Sequence, residues 1–384
     1  MKGDKMMEKL PEGWKKVRLG KVIQYKQPTK YIVKSEKYDE QTGIPVLTAG
    51  KSFILGYTDE EGVFTDVPVI IFDDFTTESK WVNFPFKVKS SALKILKVRN
   101  SENNLYFFYN LMQILNFKPG SEHKRFWISE YSKLTVSVPP LPEQRKIAEI
   151  LETVDNAIEK TDKIIEKYKR IKQGLMQDLL TKGIVENYEL GIMNYELRNE
   201  KRDKFKDSPL GRIPEEWEAV RLGEMMILKN GKPAKILEDG KYPIYGSNGL
   251  IGYTDNYFLD GTFILIGRVG ASGEIHIAIG KLWASDNCLV GECKSDTNPI
   301  FMYYLLKHLE LKKSVTQTAQ PLITQSFISN IYIPLPPLPE QHRIASILSQ
   351  IDETIEKEQK YKEKLEKIKR GLMEDLLTGK VRVN

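Results

Sequence analysis

The sequence predicts an α+β protein. Two mixed α/β globular domains are separated by two long antiparallel coiled-coil helices, and the whole is an internal pseudo-twofold repeat. Three observations lead there. A stretch V-P-P-L-P-E-Q-R-K-I-A-E-I-L at 138–151 returns as L-P-P-L-P-E-Q-H-R-I-A-S-I-L at 335–348. Pro139 and Pro336, Gln144 and Gln341, Gly174 and Gly371, and Leu180 and Leu377 all lie 197 positions apart, so about forty residues align without a gap. A repeat of this kind sets the plan of a fold. Both copies continue with apolar residues three and four apart. Both are preceded by short β-like runs opened by one phrase, P-E-G-W-K-K-V-R-L-G at 11–20 and P-E-E-W-E-A-V-R-L-G at 214–223.

The first domain spans 1–140. Its β-like runs, 21–25, 44–47, 68–72, 92–98 and 134–138, are β-branched and aromatic with Gly, Asp and Asn between them. A helical run over 104–115 interrupts them. The first long helix occupies 141–182. Pro142 suits a first helical position, where no amide hydrogen is needed, and Glu143 favours the positive end of the helix dipole; Pro339 and Glu340 repeat the arrangement. The stripe reads Ile147, Leu151, Val154, Ile158, Ile164 or Ile165, Tyr168, Ile171, Leu175 and Leu179. In the second copy it reads Ile344, Leu348, Ile351, Ile355, Tyr361, Leu365, Ile368, Leu372 and Leu376. The remaining positions are mostly charged, as beside a coiled-coil seam. Thr161 and Glu358 fall at seam positions and weaken its middle. At ~1.5 Å per residue such a helix is roughly 60 Å long. Two matching stripes in one chain can bury each other, and a twofold perpendicular to the helices makes them antiparallel.

Residues 183–210 are charged and polar, carry N-Y-E-L twice (187–190 and 194–197) and read as a connector. The second domain spans 211–337, with β-like runs at 263–266, 274–279 and 331–334 and a helix near 299–311. The second long helix occupies 338–379. G-Y-T-D occurs in both domains, at 56–59 and 252–255, but the offset between matching features drifts from 203 to 196. The helices repeat faithfully and the domains do not: a constant frame carries two variable heads.

At 384 residues the chain is long enough for two or three domains with cores of their own. It is 41% hydrophobic and 29% charged with a net charge of +6, a mildly basic balance compatible with a nucleic-acid partner. Two cysteines, Cys288 and Cys293, make neither a disulfide framework nor a zinc site, and a reducing cytoplasm is the expected location. Residues 1–10 lack the apolar core of a signal peptide, and no apolar run is long enough to span a membrane. T-A-G-K-S at 48–52 resembles the end of a P-loop, but the position needing Gly is Pro45. The glycines at 246–252 and 267–273 lack dinucleotide-binding spacing. D-D-F-T-T-E-S-K at 73–80 sets its acid too close to the E-x-K for a metal-dependent nuclease. The Pro-Pro pairs lack the flanking Asn or Asp and aromatic that an amino-methyltransferase uses. His123, His276, His308 and His342 do not pair at metal-ligand spacing. The chain reads as non-catalytic, with no metal site and no cofactor of its own.

Taken together, P-x-x-W-x-x-x-x-L-G, P-P-L-P-E-Q and a helix ending G-L-M-x-D-L-L-T, each present twice, closely resemble the specificity subunit of type I restriction–modification enzymes, over almost the whole chain. The resemblance implies that each globular segment is a target recognition domain reading one half of a split, asymmetric site in double-stranded DNA. It implies that the helices set the spacer and dock two modification (methyltransferase) subunits. S-adenosylmethionine, ATP and Mg are then expected on partner subunits, with ATP-driven translocation and cleavage carried by restriction (translocase/nuclease) subunits; no membrane is expected as a partner. A few residues inserted near 180–183 would change the gap between half-sites. A 60 Å rod matches one and a half to two DNA turns of ~34 Å. The alternative is a non-catalytic coiled-coil scaffold with two β-rich protein-binding heads.

Residues 1–140 hold 22 Lys and Arg against 16 Asp and Glu, and 211–337 hold 12 against 13, so any positive surface on the second head is local. Candidates for DNA contact lie in loops mixing basic, amide and aromatic groups. In the first head they are Lys26, Gln27, Thr29, Lys30, Lys80, Trp81, Lys124 and Arg125. In the second they are Lys229, Asn230, Lys232, Lys235, Tyr245, Ser247, Asn248, Arg268, Gln317, Gln320 and Gln325. Arg and Lys suit guanine edges or phosphates, and Asn and Gln suit adenine. Arg18 and Arg221 recur beside the repeated Trp and read as structural.

Overall fold

The structure, a computed structural model, describes residues 10–49, 52–115, 117, 125–189, 192–312 and 323–383, with backbone alone over 186–189 and 192–194. The chain divides into two compact units, 1–162 with 360–384, and 163–359. The first long helix, Leu141–Thr181, and the second, Leu338–Leu377, each contribute one part to each unit.

The strands of the first unit are β1 (Lys15–Arg18), β2 (Ile23–Lys26), β3 (Ile44–Leu47), β4 (Ile54–Thr58), β5 (Val69–Asp73), β6 (Ser79–Val82), β7 (Lys87–Val88), β8 (Leu93–Val98) and β9 (Thr135–Val138). They form a sheet β2-β8-β5-β6, a second sheet β4-β3-β7 and the pair β1-β9. Every residue of β5 is buried because both faces of its sheet are covered. Strand alternation sends Ile70 and Phe72 into a core with Phe107, Trp127 and Tyr131, and Val69 and Ile71 into a smaller core with Phe64 and Phe86. The β-like runs at 44–47, 68–72, 92–98 and 134–138 fall on β3, β5, β8 and β9, and the helical run on Leu105–Ile114. The run at 21–25 divides instead: a helical turn, Leu19–Val22, precedes β2.

The second unit holds β10 (Ile184–Glu189), β11 (Ile192–Leu197), β12 (Phe205–Ser208), β13 (Gly211–Pro214), β14 (Glu218–Arg221), β15 (Met226–Asn230), β16 (Tyr242–Gly246), β17 (Gly249–Thr254), β18 (Leu259–Gly267), β19 (Ile275–Ala284), β20 (Cys288–Cys293) and β21 (Tyr332–Leu335). The pair β14-β21 repeats β1-β9, and one six-stranded sheet, β15-β20-β18-β19-β16-β17, replaces the two sheets of the first head. Pro85, with no N–H and a fixed φ, lies in the gap between β6 and β7. In the second head Gly280 takes φ +94° within β19, which continues to its parallel pairing with β16. The stretch 183–210 is more than an extended connector, since it supplies the hairpin β10-β11 and the first strand of the hairpin β12-β13. The two N-Y-E-L copies lie on β10 and β11, except Leu190, which is outside the described residues.

The duplicated P-E-Q is a joint between head and helix. The Gln144 carbonyl oxygen accepts from Asn104 N–H at 2.9 Å and its amide donates to Pro139 O at 2.9 Å. Asn104 in turn caps Leu105–Ile114 by accepting from Phe107 N–H. Gln341 repeats this with Asn298 N–H at 2.8 Å and Pro336 O at 2.9 Å, and Asn298 caps Pro299–His308. Glu143 accepts from Trp14 Nε1 and, bidentately, from Arg382 at 2.7 and 2.9 Å. Glu340 accepts from Trp217 Nε1, Ile184 N–H and both terminal nitrogens of Arg198. Gly183 (φ +67°) leaves room for this clamp, since a Cβ there would fall 2.2 Å from Glu340 Oε1.

Within each unit the helix segments run antiparallel. In the first, Asp155 pairs with Lys369 at 2.6 Å and Asp162 with Lys362 at 2.7 Å, one number rising as the other falls. Ile147, Ala148 and Leu151 share a core with Met373, Leu376 and Leu377. In the second, Lys172 pairs with Asp352 at 2.6 Å, and Leu179 and Leu180 share a core with Ile344, Ala345 and Leu348. Tyr106 donates to Asp155 and Tyr304 to Asp352 at 2.6 and 2.7 Å. Burial, then the adjacent carboxylate, pushes both phenols above their ordinary range and keeps them donors.

The apolar stripe is only partly a seam. Ile165 is buried and Ile164 is 40% exposed; Ile171, Tyr361 and Ile368 are 39, 51 and 52% exposed. A period of 3.5 residues drifts about 20° per heptad around a straight helix, and the Lys–Asp pairs occupy the facing positions. Thr161 is buried, with its hydroxyl donating to Ala157 O at 2.9 Å.

Gln144→Ala and Gln341→Ala each strand a buried donor and acceptor, at about 1–3 kcal/mol per group. Urea unfolding of the full chain should show both variants destabilised by at least that amount and the exposed Arg145→Ala within about 0.5 kcal/mol of wild type. Equal, small shifts in all three would contradict the joint.

Candidate nucleic-acid interface

In the first head two of the candidates, Gln27 and Arg125, meet at the turn joining β7 to β8. Gln27 follows β2, and its carbonyl oxygen accepts from Lys94 Nζ at 3.1 Å. Lys94 also donates to Ser91 O at 3.1 Å and touches Asp74 Oδ2 at 3.1 Å, with both side chains of that ion pair fully buried. Arg125 reaches Ser91 Oγ at 3.4 Å. Lys26 donates to Tyr31 Oη at 3.1 Å and lies over the Tyr31 and Phe64 rings. Thr29 and Lys30 are exposed on a 3-10 turn immediately after. Lys80 is exposed on β6, whereas the Trp81 ring is engaged edge-on by Tyr106 at 4.8 Å and by Tyr109 at 5.9 Å. Lys124 lies outside the described residues.

The second head gathers its candidates around the turn joining β19 to β20. Gly231 and Lys232 N–H donate to Cys288 O and Ala284 O, and Ser285 N–H to Tyr245 O. Gly267, paired with Cys288, packs so closely on Ser247 that a Cβ would fall 2.9 Å from its carbonyl. Asn230, Lys232, Tyr245, Ser247, Arg268 and Gln325 are thereby brought together, with Asn248 next in the turn. Arg268 Nη1 and Gln325 Nε2 both donate to Asn230 Oδ1 at 3.2 Å. Lys232 Nζ sits over Phe258 at 4.7 Å, Lys229 pairs with Glu292 at 3.0 Å, and Lys235 is exposed. Gln317 and Gln320 lie outside the described residues. Arg221 donates to Asn330 and covers the Tyr332 ring, a structural setting.

Lys94 and Ser91 are not among the sequence candidates, and Asp74 appears there only within the rejected D-D-F-T-T-E-S-K motif. Their signal was available: Lys94 is a charge inside an apolar strand, and Asp73-Asp74 closes another apolar strand whose Phe72 is its neighbour in register. Among the described residues, no three His, Cys, Asp or Glu side chains converge to hold a metal ion, and no helix is long and apolar enough to cross a membrane.

The family profile described as the type I restriction modification DNA specificity domain matches residues 11–170 and again 214–367, one match per repeat. The chain belongs to this family. It is 30% identical to the type I restriction enzyme MjaVIII specificity subunit of Methanocaldococcus jannaschii over 417 aligned positions, covering 98% of this chain and 94% of that protein. It is 46% identical to the EcoR124I/EcoR124II specificity subunit of Escherichia coli over 142 positions, 35% of each chain. The crystal structure of the S subunit from M. genitalium has the same fold, with a TM-score of 0.68 at 18% identity over 97% of this chain and 98% of that one. Another solved chain, from work on complex assembly and conformational transition of the type I R-M system, matches with a TM-score of 0.52 at 18% identity over 97% of this chain and all of that one. As a specificity subunit the chain is the non-catalytic, DNA-recognising component of a restriction–modification system, and it carries two recognition domains.

Both cysteines of this specificity subunit are free, Cys288 buried and Cys293 half-buried. Burial pushes Cys288 up to about 11 and Cys293 up to about 12. Cys288 is also buried in its sheet, so Ellman's reagent at about pH 8 should leave it unlabelled for minutes in the folded chain and label it after denaturation. Rapid labelling of native Cys288 would contradict this burial.

Proposed function

We propose that each head reads one half of a bipartite, asymmetric double-stranded DNA site through the strand junction where Gln27 and Arg125, or Asn230, Arg268 and Gln325, meet, and that the paired helices set the unread spacer. The domain plan is 1–140 and 211–337 for the heads and 141–182 and 338–379 for the helices, with 183–210 between. The observation that carries this reading is the duplication of one joint on two dissimilar heads: Glu143 and Gln144, then Glu340 and Gln341, hold different readers in the same way. The bases are read by amides and cations in the grooves, and remaining Lys and Arg side chains meet phosphates.

Two modification subunits dock on the long helices in this proposal, and the exposed apolar positions supply a physical basis. Ile164 and Tyr361, and Ile171 and Ile368, are equivalent positions 197 apart in the two repeats, and all four are exposed. One patch present twice suits two copies of one partner. Restriction subunits join that assembly. S-adenosylmethionine, ATP and Mg belong to those partners, and the assembly works in the cytoplasm. The spacer is better tested away from 180–183, because Leu180 is buried and Gly183 is filled by the Glu340 clamp.

Mapping N6-methyladenine in DNA from cells carrying this gene with its methyltransferase partner should reveal one split motif. Exchanging 11–138 for the head of another family member should change one half of that motif and leave the other half and the gap intact. A motif altered in both halves, or an unsplit motif, would contradict the reading.

A further inference from the structure

Gln27 and Asn230 occupy one position in the two heads. They lie 203 apart, in the register that also relates Trp14 to Trp217, Gln27 directly after and Asn230 at the last residue of the strand that follows the short helical turn. Each exposes its side chain, and each has its carbonyl oxygen already taken. In the first head the donor is Lys94, on β8; in the second it is Arg268, which replaces Asp74 in the fold. That last equivalence follows from matching bonds: Phe126 N–H donates to Asp74 O as Ile323 N–H does to Arg268 O. The two heads thus hold the same oxygen with cations from different strands.

From this geometry we infer that Gln27 and Asn230 read DNA as donors only, each presenting its NH2 to a hydrogen-bond acceptor on a base edge in the major groove. This rests on the proposed function and narrows it. An ammonium or guanidinium has donors and no acceptor, so the group facing it must be the amide oxygen and the NH2 must point away. Lys94 is fully buried and directs its nitrogen at Gln27, Ser91 O and Asp74, so reversing the amide would leave a buried N–H facing another donor. Gln325 adds a second donor to the Asn230 oxygen. Among the described residues neither NH2 group has a partner. A free carboxamide reads adenine with both ends, accepting from N6 and donating to N7. With the oxygen held, only acceptors remain as targets: purine N7, guanine O6 or thymine O4. A buried ion pair such as Lys94–Asp74 is weak evidence of stabilisation and better understood as fixing orientation. Here it orients a reading group.

The test uses the full-length chain and a pool of randomised duplexes to select its split site. Single bases of that site are then replaced by analogues lacking one group: 7-deazapurines for N7, 2-aminopurine for guanine O6, 5-methyl-2-pyrimidinone for thymine O4, and purine for the adenine 6-amino group. Gln27→Glu and Asn230→Asp keep an oxygen for Lys94 and Arg268 but delete the NH2. Each variant should lose about tenfold or more in affinity, through one base of its own half-site only. At that base, removing the acceptor should weaken wild type by a similar factor and the variant no further, while removing an adenine 6-amino group should have no effect. Unchanged binding by the variants, an equal loss on every duplex, or dependence on the 6-amino group at that base would each overturn the inference. Selection of no split motif by wild type would overturn the proposed function, and this inference with it.

Discussion

The fold depends on a carboxylate and a carboxamide at the entrance to each long helix. Glu143 is buried and the Glu340 side chain is only 9% exposed, and a buried carboxylate is tolerated only when its lone pairs are filled. The filling groups come from distant parts of the chain: an indole from the start of the head, and a guanidinium from the segment that follows the other helix. Gln144 and Gln341 then fix the head's own helix to the same turn. The P-P-L-P-E-Q motif is therefore explained by hydrogen-bond satisfaction rather than by chemistry performed on a ligand. Its prolines start the helix, and its two polar residues decide what that helix start can be attached to.

The division of labour between frame and heads follows from where charge is buried. In the frame Asp155 and Asp352 each receive a tyrosine hydroxyl and a lysine from the opposing helix, identical solutions in both repeats. In the heads the equivalent positions diverge. Asp74 with Lys94 in one and Arg268 with Gln325 in the other reach a similar outcome by different residues. Identity is kept where two copies must fit each other, and variation falls where two readers must differ.

Much of this could be read from the sequence because it is periodic or duplicated. The long helices end within two residues of the limits read from their patterns, and most β-like runs fall on strands. The parts that could not be read depend on contacts between residues far apart in the chain. The stripe did not say that Ile165 and not Ile164 would face inward, because the Lys–Asp pairs that take the facing positions come from the other helix. Nor did the polar stretch after 183 announce a hairpin, since its Arg198 acquires a reason for burial only when Glu340 is beside it. Lys94 could not be linked to the candidate Gln27 for the same reason: a lysine in a strand becomes informative once Gln27 and Asp74 are seen around it. Candidate loops were found because amide, basic and aromatic residues alternate there, but how an amide points is decided by its neighbours.

If two heads of one chain read two separated parts of one duplex, photocrosslinking will separate their footprints, with benzoylphenylalanine placed at the exposed positions of Lys30 and Lys235 and the full chain bound to its selected duplex. Crosslinks are expected from the first position to one half-site only and from the second to the other half-site only, with none in the bases between. Crosslinks from both positions to the same half-site would contradict it.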